Sequence, residues 1–95
     1  MQVTDEHKAL QQMARDFAEK EIRPVARERE RIDDPAERFP WDIVEMGSKL
    51  GLRTLAIPEE MGGGGADILT LSLVGEELAV GDLGVGVIFD QTWKL

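Results

Sequence analysis

Residues 50–67 read LGLRTLAIPEEMGGGGAD, and the order of their parts decides the fold. An apolar crossing, Leu52, Leu55 and Ile57, is stopped by Pro58. Four glycines follow at 62–65, and Asp67 stands where a new helix begins. Asp is a strong helix N-cap because its carboxylate accepts from the first unpaired N–H groups. The apolar set after it is Ile68, Leu69, Leu71, Leu73, Val74, Leu78 and Ala79. That set is broad enough to be packed on more than one side, and it predicts a helix to about Val80, broken at Gly81-Asp82.

Upstream of the crossing, Phe39-Pro40 opens a helix whose apolar face is Trp41, Ile43, Val44, Met46, Gly47 and Leu50. Proline is tolerated in a first turn, and Gly51 is a natural C′ residue. Further back, Thr4 caps a helix with Asp5 and Glu6 in its first turn, where the helix dipole favours acids. Leu10, Met13, Ala14, Phe17, Ala18, Ile22, Val25 and Ala26 step by three and four along it. Asp16 with Lys20 and Glu19 with Arg23 are spaced as i, i+4 ion pairs. Pro24 removes a backbone donor, but the stripe continues past it, so the expectation is one helix from 4 to about 31, kinked at Pro24 and about 40 Å long. The run Arg27–Arg31, RERER, reads as a solvated helix end, and Asp33, Asp34 and Pro35 as the loop after it.

Downstream, Val85 to Leu95 carries Val85, Val87, Ile88, Phe89, Thr92, Trp93 and Leu95. Propensity leaves strand and helix open, with Gly84, Gly86 and the β-branched residues leaning toward strand. The apolar pattern reaches Leu95 without a cap, and the expectation is that the native chain continues.

Composition excludes several functions. The chain has 95 residues, enough for one small domain, and a formal charge of −8 from 19 acidic and 11 basic residues. That balance argues against nucleic acid and against an anionic membrane surface. No apolar run is long enough to insert in a bilayer, and Met1–Lys8 lacks the features of a signal peptide. A cytoplasmic protein is the default expectation. Cysteine is absent, so there is no disulfide framework, thiolate metal site or cysteine nucleophile.

The remaining chemistry is sparse. A phosphate-binding loop needs Lys-Ser or Lys-Thr after its last glycine, and here Ala66-Asp67 follows. The run 62–65 therefore reads as a flexible turn. Glu59-Glu60 and Glu76-Glu77 are adjacent in sequence, which on a helix or turn points them in different directions. His7 is the only histidine; without a second imidazole it reads as a surface residue, and no metal site is expected. Ser48 and Ser72 have no histidine partner for nucleophilic catalysis. No catalytic residue is expected within the chain.

Four segments, in order, resemble the N-terminal helical domain of the acyl-CoA dehydrogenase family: EIRPVARERE at 21–30, FPWDIVEMGSKLGL at 39–52, IPEEMGGGGAD at 57–67 and SLVGEELAVGDLGVGV at 72–87. Met61 stands where the family has an aromatic residue. The resemblance implies an all-α fold of four helices over residues 1–95, with 85–95 helical and with the chain forming part of a longer or split enzyme. Members of the family are flavoproteins that oxidise the Cα–Cβ bond of acyl-CoA thioesters. FAD lies between later domains and across a subunit interface, a glutamate in the C-terminal half takes the α proton, and the flavin N5 takes the β hydride. The implied partners are the remaining domains or a separate chain of the enzyme, the acyl-CoA substrate, an electron-transfer flavoprotein as acceptor, and further copies in a homo-oligomer. By position, Gly86, Val87, Asp90 and Gln91 are implied near the base of the acyl cavity. Asp90 there either reads a polar acyl group or faces solvent, and the cost of an ionised carboxylate in an apolar tunnel favours solvent. Two rivals stand beside this reading: a small acidic helical interaction module without flavin chemistry, and a flavin monooxygenase or nitroalkane oxidase on the same fold.

Overall fold

The computed structural model describes residues 4–94. Helix α1 (Asp5–Phe17) runs through a single π turn (Ala18–Ile22) into α2 (Arg23–Glu30). A one-turn α3 (Pro35–Arg38) precedes α4 (Trp41–Lys49). The crossing then passes a 3₁₀ turn (Glu59–Met61) to α5 (Ile68–Gly81) and α6 (Leu83–Lys94). The fold is all-α, with four principal helices and no strand among the described residues. The segment that propensity left open is helical. Leu95, counted in its apolar set, lies outside the described residues.

The start of α1 is a capping box. Thr4 Oγ1 accepts from the His7 N–H at 3.2 Å, and the Thr4 N–H donates to His7 Nδ1 at 3.1 Å. His7 is therefore a capping residue rather than a merely solvated one, in the place usually held by Glu or Gln.

The expected kink at Pro24 takes another form. The Arg23 N–H bonds to Ala18 O, five residues back, so the ladder widens just before the proline. Pro24 cannot donate to the carbonyl four residues earlier and its ring crowds it; one wide turn accommodates both. The extra residue shifts the phase of the side chains, and the two expected ion pairs do not form. Asp16 instead accepts from Gln12 at 2.9 Å. Glu19 takes Arg15 at 2.9 Å, and Arg15 also reaches Glu77 of α5 at 2.9 Å. Arg23 donates to Val80 O at 3.1 Å.

The core joins Ala14, Phe17, Ala18 and Ile22 of the first rod to Ile43, Leu52, Leu55, Val74, Leu78, Val85 and Phe89. Phe89 is fully buried, with its ring edge-on to Phe17 at 6.4 Å. It lies where Gly47 has no side chain: a Cβ on Gly47 would stand 2.6 Å from Phe89 Cε1. Gly81 has a similar role at the end of α5, where an added Cβ would lie 2.7 Å from Ala18 O and 2.8 Å from Ile22 Cβ.

Three further expectations are corrected. The RERER run is not wholly solvated: Arg29 pairs with Asp42 and donates to Phe39 O, tying α2 to the start of α4. The glycine run is laced to the crossing rather than free. Its N–H groups reach Pro58 O at 3.1 Å, Thr54 O at 3.1 Å and Ile57 O at 2.8 Å, and Gly63 packs against the Ile57 backbone too closely for a side chain. Leu52 and Leu55 are buried as expected, but Ile57 is on the exposed margin. Gly51 ends α4 with φ +83°, as a C′ glycine does.

Gly81→Ala is expected to destabilise the domain by about 1–3 kcal/mol through overpacking against the π turn. Thermal unfolding followed by circular dichroism reads this, at about 4–8 °C per kcal/mol for a domain of this size. An unchanged melting temperature would contradict the close packing.

Candidate functional site

Helices α5 and α6 each bury one face and offer the adjacent flank to a shared groove of about 630 Å³. On α5 the buried face is Thr70, Val74 and Leu78, and the groove flank is Ile68, Leu71, Ser72, Gly75, Glu76 and Ala79. On α6, Val85 and Phe89 point to the core, while Leu83, Gly86, Val87, Asp90, Trp93 and Lys94 border the groove. Both sets follow from 3.6 residues per turn: once the core residues are fixed inward, the flank is fixed too.

Local chemistry starts each helix cleanly. Asp67 Oδ1 accepts from the Thr70 N–H at 2.9 Å and from the Thr70 hydroxyl at 2.8 Å. These bonds hold its carboxyl below the ordinary range. Asp82 alone separates the two helices, and its Oδ2 accepts from the Val85 N–H at 3.0 Å. Gly86 is buried at the close approach of the pair, where an added Cβ would lie 3.2 Å from Ala79 Cα.

Of the four residues singled out in the sequence, Gly86, Val87 and Asp90 border the groove. Gln91 is exposed and does not line it. Asp90 is at the rim, half-exposed and paired with Lys94 Nζ at 2.8 Å. Sequence reasoning missed Ser72, Gly75, Glu76 and Trp93. The signal for the first three was present: small or polar residues at 72, 75, 76 and 79 interrupt an otherwise apolar helix at helical spacing. Trp93 donates from Nε1 to Leu52 O at 2.7 Å, anchoring the end of α6 to the crossing.

Little else here does chemistry. Ser48 donates to Val44 O and accepts from Arg53. Glu76 borders the groove while Glu77 faces Arg15, so the adjacent acids diverge. Bonding first to Glu77 and then to Glu19 raises the Arg15 pKa. Among the described residues no cluster of three His, Cys, Asp or Glu side chains is placed to hold a metal ion. Among the described residues no helix is long and apolar enough to cross a membrane.

The model of the acyl-CoA dehydrogenase N-terminal domain matches residues 4–94. The chain belongs to the acyl-CoA dehydrogenase family. It is 39% identical over 88 residues to an acyl-CoA dehydrogenase of Bacillus subtilis, covering 93% of this chain and 22% of that one. The mitochondrial short-chain specific acyl-CoA dehydrogenase of Bos taurus is also 39% identical, with 93% and 20% covered. A 3-(aryl)acrylate reductase of Clostridium sporogenes is 40% identical over 76 residues, 80% of this chain and 19% of that one. The chain thus spans about a fifth of the length of these curated relatives. No solved structure gives a significant match.

The groove does not fit the pyrophosphate of a flavin dinucleotide. Glu76 and Asp90 are acidic, Lys94 is already paired, and the carboxylates of Asp67 and Asp82 cap the N-termini of α5 and α6 through the Thr70 and Val85 N–H groups. It suits a neutral apolar chain.

The depressed pKa of Asp67 makes the start of α5 pH-sensitive. Its stabilisation is present above the unfolded carboxyl pKa of about 3.9 and is lost as pH falls through the lower folded value. Comparing wild type with Asp67→Ala by chemical denaturation, the stability gap is expected to be full at pH 6 and to narrow below pH 4. A gap independent of pH would contradict the capping role.

Proposed function

We propose that residues 1–95 are the N-terminal α domain of a flavin-dependent acyl-CoA dehydrogenase. In this reading the enzyme oxidises the Cα–Cβ bond of acyl-CoA thioesters, and the α5–α6 groove walls the acyl chain. The observation that carries it is the groove itself, apolar along its length with charge only at Glu76, Asp90 and Lys94, on a chain of this family. Gly86 and Val87 line the alkyl path, Asp90 turns its carboxylate to solvent and Lys94, and Gln91 stays outside. Each methylene taken from water gains about 0.8 kcal/mol, so a wall of this kind orders the substrate by burial. Removing two hydrogens from adjacent carbons needs the alkyl chain held in one alignment, and that positioning is the contribution of this domain.

The exposed Ile68, Leu83 and Val87, at 83%, 71% and 48%, form the rim on which the remaining domains of the enzyme pack. Those domains hold the FAD and the catalytic base, and the assembled enzyme is a cytoplasmic homo-oligomer that passes its electrons to an electron-transfer flavoprotein.

The test is expression of the complete gene product that contains these residues, assayed for acyl-CoA-dependent reduction of an artificial dye acceptor. Dye reduction with saturated acyl-CoA, and a KM raised about tenfold or more in Val87→Asp, are expected, since a carboxylate in the alkyl path is costly to desolvate. Absence of activity on every acyl-CoA from 4 to 16 carbons would overturn the reading.

A further inference from the structure

A second cavity of about 640 Å³ lies where the end of α6 meets the crossing, within the roughly 300–1,000 Å³ usual for small-molecule sites. Local structure sets its polar side. Gly51 turns the chain at φ +83°, and the Leu52 N–H reaches back to Gly47 O at 3.0 Å. Leu52 and Leu55 are then buried, which leaves Arg53 and Thr54 turned outward at the cavity. The Trp93 indole, fixed by its bond to Leu52 O at 2.7 Å, joins Ala56, Ile57 and Pro58 as the apolar part of the lining. Charge singles this cavity out. The chain carries −8 overall, and four other cavities on the described residues each hold two carboxylates. This one is lined by Arg53 and by no acid. Among the described residues Arg53 has no carboxylate within ion-pair distance, and its side chain has one partner, Ser48 Oγ, which accepts from Nη1 at 3.3 Å. A guanidinium presents five N–H donors in a planar fork, and that bond uses a single one.

We propose that this cavity is a binding site for a small organic monocarboxylate, with the carboxylate on Arg53 and the apolar body against Trp93, Ile57 and Pro58. Trp93 borders both this space and the α5–α6 groove, but Arg53 lines only this one, so the site does not depend on the acyl-groove reading. The available donors decide the class of anion. One edge of a guanidinium meets a carboxylate through two parallel N–H bonds. The neighbouring hydroxyls add little. Ser48 already donates to Val44 O at 2.8 Å and Thr92 to Phe89 O at 2.6 Å, so both offer lone pairs rather than protons. The Thr54 hydroxyl, held only loosely at 3.5 Å from Gly51 O, can turn to an anion. One guanidinium and one hydroxyl satisfy a carboxylate. The same set leaves oxygens of a phosphate dianion unpaired against Ile57, Pro58 and Trp93, which is costly. The negative charge of the rest of the chain opposes any anion, so burial of an apolar body is a required part of the recognition.

The experiment is calorimetric titration of the complete gene product with phenylbutyrate, with its neutral analogue phenylbutanol and with inorganic phosphate, in wild type, Arg53→Met and Arg53→Lys. Wild type is expected to bind phenylbutyrate with a Kd on the order of 1 mM, as an exposed cation beside an open apolar wall allows. Phenylbutanol in wild type, and phenylbutyrate in Arg53→Met, are expected to bind about tenfold or more weakly, since each loses a charge-assisted pair. Arg53→Lys keeps the charge without the fork and is expected to retain part of the affinity. Raising the ionic strength is expected to weaken phenylbutyrate and leave phenylbutanol unchanged. Arg53 is exposed with one side-chain partner, so an unchanged melting temperature is expected for both variants. Equal phenylbutyrate binding in wild type and Arg53→Met would overturn the site. Phosphate binding that Arg53→Met abolishes would overturn the choice of a carboxylate on an apolar body. Absence of phenylbutyrate binding by a protein that reduces dye with acyl-CoA would overturn the site and leave the acyl-groove reading standing. Arg53-dependent binding by a protein inactive on every acyl-CoA would support the site and overturn that reading alone.

Discussion

The seat of Phe89 on Gly47 is the contact on which the rest of the domain depends. The ring fills the place where a side chain at 47 would be, and its edge-on contact with Phe17 brings α1, α4 and α6 to one point. Losing a buried Phe costs about 3–5 kcal/mol in ordinary cores. A domain of this size has about 5–15 kcal/mol in total, so one contact of that size decides whether α6 is held at all. It also sets the orientation of α6. With Val85 and Phe89 inward, Gly86, Val87, Asp90 and Trp93 face α5. The groove is thus a consequence of the core rather than a separate construction.

The same logic of missing side chains governs the other end. Gly81 lets α5 finish against the π turn, where Ala18 O and Ile22 leave no room for a methyl. The π turn exists because Pro24 cannot donate, and it places Ile22 in the core while turning Arg23 to Val80 O. The ion pairs of Arg15 with Glu19 and Glu77 lie across the surface and are screened by solvent, so they follow this packing and do not cause it.

What was legible in the sequence was local. Thr4, Gly51 and Asp67 mark helix ends by chemistry that acts within four residues, and each is found in that role. The stripe from Leu10 to Ile22 announced the first helix because burial on one side imposes its period. Features that depend on distant partners were not legible. Pro24 signals a lost donor, but the place where the ladder widens depends on what packs against it. Arg29 looks solvated until Asp42 and the Phe39 carbonyl arrive from the next helix. The glycine run looks loose until its amides meet the crossing. At the groove, Gly86, Val87 and Asp90 were named from the family resemblance. Trp93 was visible only as an apolar residue, since its hydrogen bond to Leu52 spans 41 positions.

The proposed function requires the alkyl chain of a thioester to lie in the space between α5 and α6. The most direct measurement is a crystal structure of the complete gene product with a saturated acyl-CoA bound. Alkyl carbons in van der Waals contact with Val87 and Gly75 are expected. An alkyl chain held elsewhere, with the α5–α6 groove filled by side chains of another domain, would contradict it.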